Sequence, residues 1–169
     1  YRSKVFDAKN WSVGGYQMDM HPSPGYFGML YEEKGRGIVA QRGQKVVIDA
    51  KGKKAITGKL DTSKKLDLSK WNEFTVIAKG NKLIHKVNGD VTVEIVDNQV
   101  ARRAMKGILA LQLHAGAPMR FEAKDIVLKK ADVAGTAATS TSLATTAAAG
   151  VVAQVKADSG AARVHPKGF

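Results

Sequence analysis

The sequence predicts an all-β domain, a sandwich of short antiparallel strands, followed by a flexible low-complexity tail. Three observations carry that expectation. Short runs alternate apolar and polar residues, the period of a half-buried strand. Turn dipeptides separate the runs at close intervals, including Gly80-Asn81 and Asn88-Gly89. After Lys130 the chain turns to Ala, Thr, Ser, Gly and Val with almost no charge and no usable period. Many strands, frequent turns and little helix point to a sandwich or barrel.

The elements follow in order. Gly15 to Met20 alternates, with Tyr16, Met18 and Met20 on one face and Gln17 and Asp19 on the other. Phe27, Met29 and Tyr31 alternate against Gly28, Leu30 and Glu32. Residues 37–41 and 45–50 are short apolar runs around Gly43. Residues 61–71 are polar and turn-rich, with Leu66 and Leu68 as expected plugs. Phe74 to Lys79, Lys82 to Val87 and Val91 to Val96 flank the two turn dipeptides and read as a three-stranded meander. Asn-Gly is the stronger hairpin signal, because both central residues of a type I′ turn need positive φ. Asn98 to Met105 has room for one helical turn. Gly107 to His114 and Arg120 to Leu128 read as a second hairpin around Gly116 and Pro118.

The 169 residues suffice for one domain with a real core plus an extension. The expected organisation is a β-domain over 1–130, an Ala/Thr/Ser-rich linker over 131–160, and the start of a further domain over 161–169. Without cysteine there is no disulfide framework and no thiolate metal site. The net charge of +12 comes from 27 Lys plus Arg against 15 Asp plus Glu. The lysines are scattered and form no helical stripe, so the charge reads as a solvated surface and nucleic acid is an unlikely partner. No run of about 18 apolar residues is present, so no membrane-spanning helix is expected. The chain opens on Tyr1-Arg2-Ser3 without an initiator Met, and is expected to be a piece of a longer polypeptide.

Several pieces, in this order, resemble the 3-keto-disaccharide hydrolase domain family. They are Tyr1-Arg2-Ser3, the GGYQMDM run at 14–20, GYFGMLYEEKGRG at 25–37, WNEFTVIAKGN at 71–81, HKVNG at 85–89 and LQLHAGAPMRFEAKDI at 111–126. The ordered set is more specific than any single motif, and residues 38–68 match weakly. The resemblance implies a concanavalin-like jelly roll, with further strands expected before Tyr1. It also implies a 3-keto-glycoside as carbohydrate substrate, a covalently linked downstream redox or propeller domain, and a periplasmic or extracellular location.

Within that frame, candidate residues follow from their faces. Asp19 and Gln17 share a strand face opposite the apolar one, either as solvent-facing residues or as site residues, and the resemblance favours the site. Tyr31, Glu32 and Arg36 read either as a surface ion pair beside an aromatic or as a sugar clamp, with Tyr31 stacking on a pyranose. His85 shares a face with Leu83 and Val87, and reads first as a core or rim histidine and second as a substrate contact. Gln112 and His114 alternate with Leu109, Leu111 and Leu113, which would form the anchoring apolar face. The expected catalytic set is therefore Asp19, Glu32 and His114, and the expected substrate contacts are Gln17, Tyr31, Arg36, His85 and Gln112. Asp19, Glu32 and His114 are also the candidate ligands of a divalent metal ion, the one cofactor left open; no HExxH or DxDxDG motif supports it.

The chemistry implied by the resemblance needs one base and one group that stabilises an enolate, rather than the paired carboxylates of ordinary glycosidases. A non-catalytic carbohydrate-binding module is the alternative. A polyanion-binding protein is the third expectation, with affinity falling steeply in salt.

Overall fold

The computed structural model describes residues 1–21, 23, 25–67, 70–114, 121–131 and 150–158. These residues are all-β, without a helix, and form two sheets. The first sheet runs β1 (Lys4–Asp7), β2 (Ser12–Met18), β3 (Leu30–Glu33) and β4 (Gly37–Ala40) in sequence order. The second holds β5 (Gln44–Ile48), β6 (Lys54–Lys59), β7 (Asn72–Lys79), β8 (Lys82–Val87), β9 (Asp90–Asp97), β10 (Glu122–Ala131) and β11 (Gly150–Asp158). Its spatial order is β10-β11-β7-β8-β9-β5-β6. Every pairing is antiparallel except β5 with β9. No helix among the described residues is long and apolar enough to cross a membrane.

The core lies between the sheets. Tyr16, Met18, Leu30 and Val39 come from the first sheet; Val46, Ile48, Phe74, Val76, Leu83, Val87, Val93 and Ile95 come from the second. Phe27 meets Phe74 edge to face, with ring centroids 5.1 Å apart. Each such large apolar side chain contributes about 1.5–3 kcal/mol by leaving water. Met20 and Leu66 pack against this cluster from the rim, so Leu66 plugs the turn-rich segment as expected. Leu68 lies outside the described residues.

The meander of β7, β8 and β9 matches the sequence pattern. Asn88 and Gly89 both have positive φ, 51° and 85°, as the turn requires. The Asn88 side chain also accepts the N–H of Glu73 at 2.8 Å, tying the turn back to β7. Residues 98–105 hold a single turn in which the Gln99 carbonyl accepts N–H groups from Arg102 and Arg103.

Other expectations change. β3 begins only at Leu30, because Phe27 to Met29 form a turn with Gly28 at φ 83°. Leu30 and Glu32 therefore point inward, and Tyr31 points outward. The expected strand over 107–114 is reduced to one bridge, Ser3 with Ile108. Beyond it no neighbouring strand among the described residues satisfies the backbone, and a strand forms only when its N–H and C=O groups find partners. Leu109, Leu111 and Leu113 are accordingly exposed rather than forming an anchoring face. β10 pairs with β11 rather than with 107–114, while Gly116 and Pro118 lie outside the described residues. β11 falls inside the stretch read as linker, at 150–158. The remainder of that stretch between 132 and 149, and residues 161–169, lie outside the described residues. β6 was not anticipated: it is an edge strand whose residues are mostly exposed, so no apolar alternation marks it.

Candidate functional site

The expected site residues separate onto two sides of the first sheet. Tyr16 is the cross-strand neighbour of Glu32, and Gln17 is the neighbour of Tyr31. Directly opposed residues share a face. Tyr16 and Glu32 therefore face the core, while Gln17 and Tyr31 lie half-exposed on the outer face. Asp19 follows Gln17 by the same period of two and is also half-exposed.

Asp19 is held at the end of β2 by backbone bonds on both sides. Its N–H donates to Met29 at 3.2 Å, and its carbonyl accepts from Gly28 at 2.7 Å. Its carboxylate Oδ1 accepts the His21 N–H at 3.0 Å. Oδ2 has no partner among the described residues. His21 in turn packs edge-on against Tyr26, with centroids 5.6 Å apart. The outer face thus offers a fixed carboxylate, an amide, a phenol and an adjoining His–Tyr pair. His21 was not anticipated, although Gln17, Asp19 and His21 continue one period of two and that spacing would have marked it.

Glu32 and Arg36 do meet, but inside the sandwich. Arg36 Nε pairs with Glu32 Oε2, and Arg36 Nη2 pairs with Asp97 Oδ2 at 2.6 Å. Arg36 Nη1 also donates to Gln99 Oε1 at 3.2 Å. Tyr16 donates its hydroxyl to Asp97 Oδ2 at 2.7 Å and accepts the Ala104 N–H at 3.2 Å. Burial alone would penalise the Arg36 cation; the hydrogen bonds it donates to Asp97 and Glu32 outweigh that and hold its pKa above the usual value. Burial likewise works against the Asp97 carboxylate, but bonds from Arg36 and Tyr16 keep its pKa below the usual value. The Tyr16 hydroxyl is pushed up by burial and by Asp97. A sugar clamp needs donors that reach the surface; here the donors and acceptors of Glu32 and Arg36 are spent on the core. Asp97 was missed, yet it continues the inward period of Val93 and Ile95, and a carboxylate there requires a buried cation.

His85 is fully buried. Its Nε2 pairs with the Tyr1 hydroxyl at 2.9 Å, and its Nδ1 with the Gly28 carbonyl at 3.3 Å. The carbonyl can only accept, so Nδ1 carries the proton and Nε2 accepts from Tyr1. Burial pushes its pKa down to about 3, so it is a neutral core histidine in this fold. Gln112 and His114 are exposed on the segment after Ile108.

Asp19, Glu32 and His114 do not converge. Among the described residues no group of three or more His, Asp or Glu side chains is placed to hold a metal ion, and Asp19 and Glu32 face opposite sides of one sheet. The residues therefore do not fit the metal site they were candidates for.

A family model described as 3-keto-alpha-glucoside-1,2-lyase-like domain matches residues 1–129. The curated proteins give no match, and neither do the solved structures. With the match covering most of its length and every strand except β11 and the end of β10, the chain belongs to the 3-keto-alpha-glucoside-1,2-lyase-like domain family.

Proposed function

We propose that the chain cleaves 3-keto-glycosides at the outer face of its first sheet, with Asp19 as general base. Family membership supports the glycoside-cleaving class. The observation that supports the assignment is the grouping of Asp19, Gln17 and Tyr31 on one half-exposed face.

The reaction needs little machinery. A ketone at C3 acidifies the C2 proton. Asp19 removes that proton, and its electron pair forms an enolate with negative charge on the C3 oxygen. The enolate collapses, restoring the C3 carbonyl, forming the C1–C2 double bond and expelling the C1 glycosidic oxygen, which leaves as the protonated alcohol. Water then adds its oxygen to C1 and a proton to C2, giving the free 3-keto sugar. The Gln17 amide and Tyr31 hydroxyl have no protein partners among the described residues, and are the donors assigned to the enolate oxygen. Gln112 is assigned to substrate hydroxyls, and His114 to the proton on the leaving oxygen. Glu32, Arg36 and His85 act from the interior, fixing β2 and β3 so that the outer face keeps its geometry.

A non-catalytic saccharide-binding domain is the second reading. The inward orientation of Glu32 and His85 favours it, since only one fixed carboxylate of the expected catalytic set remains on the outer face. The deciding experiment compares wild type with Asp19→Asn on a 4-nitrophenyl 3-keto-glucoside. Release of nitrophenol by wild type and its loss in the folded variant, with binding retained, supports the base. No release by folded wild type that still binds the glycoside moves the assignment to the binding domain.

A further inference from the structure

A second feature lies away from the outer face. A cleft of about 200 Å³ opens between the β8–β9 turn and the segment after β6. Leu60, Leu66 and Val91 give it apolar lining, and Arg42, Asp61, Thr62 and Lys64 give it polar groups. Its walls are tied together through Gly43: the Gly43 N–H donates to the Thr92 carbonyl and the Gly43 carbonyl accepts from Leu60, both at 2.7 Å. The cleft is therefore a fixed part of the fold.

Its unusual occupant is Arg42. Arg42 is half-buried. Its sole hydrogen bond among the described residues is a long one, 3.4 Å from Nη1 to the Phe27 carbonyl. No carboxylate among the described residues lies within ion-pair distance. Asp90, which shares the cleft, is spent on Lys64 at 2.8 Å. The Thr62 hydroxyl also has no protein partner among the described residues. A half-buried cation without a direct ion-pair partner is costly: burial lowers the Arg42 pKa, and the more distant Asp90 charge offsets this only in part.

We infer that this cleft binds the carboxylate of an acidic monosaccharide unit, a uronic acid. Arg42 and Thr62 take the carboxylate, which the guanidinium fork matches in geometry. The apolar face of the sugar ring lies on Leu60, Leu66 and Val91, and its hydroxyls meet Asp61 and Lys64. The volume lies below the roughly 300–1,000 Å³ of sites for larger ligands, so it suits one ring rather than an oligomer. The carboxylate half of this assignment stands on the cleft itself; the sugar half rests on the proposed saccharide chemistry.

The test titrates the full chain with sodium glucuronate, methyl glucoside and sodium acetate separately, following backbone amide resonances. Glucuronate is expected to shift the amides of Arg42, Thr62 and Val91. Arg42→Gln is expected to weaken this about tenfold or more, and Thr62→Val to weaken it as well. Lys45→Gln, on the outer face of the second sheet, is expected to leave it unchanged. Absence of cleft shifts, or equal affinity in folded Arg42→Gln, overturns the site. Acetate binding as tightly as glucuronate overturns the sugar, and methyl glucoside binding as tightly overturns the carboxylate. Turnover of a neutral 3-keto-glucoside is read separately, so failure of the cleft and failure of the catalytic reading remain distinct.

Discussion

The Tyr16 hydroxyl donates to Asp97 at 2.7 Å across the interior, joining β2 of one sheet to the end of β9 in the other. It also accepts the Ala104 N–H, which anchors the segment after β9. One phenol thereby satisfies polar groups from two other parts of the chain. Tyr16→Phe keeps the ring and removes these bonds, leaving a buried carboxylate oxygen and a buried N–H short of partners. The expected cost is about 1–3 kcal/mol, read as a lower urea midpoint at unchanged slope.

Arg36 carries more. It is the cation facing both Glu32 and Asp97. Removing it strands two buried carboxylates, which costs about 3–5 kcal/mol where one buried partner is lost. Arg36→Met is therefore expected to lower thermal stability far more than Glu32→Gln, which keeps a neutral hydrogen-bonding group. The pH dependence has a definite sign. The folded pKa of Asp97 is depressed, so its stabilisation is full above the ordinary carboxylate value and is lost as pH falls below it. The change between pH 5 and pH 2.5 in the thermal-midpoint difference between wild type and Asp97→Asn reads this loss. A variant Arg36→Met as stable as wild type would sink the assignment.

The sheet faces were legible where alternation and turn chemistry agreed. Tyr16 and Met18 against Gln17, and Asn88-Gly89 between β8 and β9, needed no tertiary information. The orientation of Glu32 was not legible, because Gly28 and the turn before Leu30 reset which residues face inward. Nor was the fate of Leu109, Leu111 and Leu113: alternation marks a segment fit to be a strand, but only a neighbour with free backbone groups makes it one. The outer-face grouping of Gln17 with Asp19 followed from period alone. Its pairing with Tyr31 needed the register of β2 and β3.

His85 gives a second, separable pH response. Its pKa is about 3 when folded and about 6.5 in the unfolded chain. Between these values the unfolded state binds the proton and the folded state does not. Stability therefore falls as pH drops through this window, by about 1.4 kcal/mol per unit from this residue. The difference in stability between wild type and His85→Gln, followed from pH 7 to pH 4, is expected to move by that slope. A pH-independent difference would mean that His85 titrates alike in the folded and unfolded chain, and so is not desolvated in the fold.

Metal removal provides a further check on the site. Asp19, Glu32 and His114 do not converge, and no other such group is placed for an ion among the described residues. Turnover of a 3-keto-glucoside is therefore expected to survive prolonged treatment with chelator. Loss of activity restored by a divalent ion would place the ligands outside the described residues and displace Gln17 and Tyr31 as enolate donors.

Asp19 and Glu32 provide the sharpest contrast, because the two carboxylates lie on opposite faces of one sheet and only one faces solvent. Asp19→Asn removes a base from a half-exposed position and keeps an oxygen that can accept the His21 N–H. Its stability is expected to change by no more than about 0.5 kcal/mol, while kcat falls by roughly 10²–10⁴, the usual contribution of a positioned base. Glu32→Gln perturbs the interior instead, so stability falls first, and any loss of kcat follows the fraction unfolded and recovers on cooling. Measuring kcat and the thermal midpoint for both variants separates catalysis from support. If folded Asp19→Asn turns over as fast as wild type, Asp19 is not the base. If Glu32→Gln loses turnover at temperatures where it is fully folded, the interior network reaches the substrate in a way this packing does not provide.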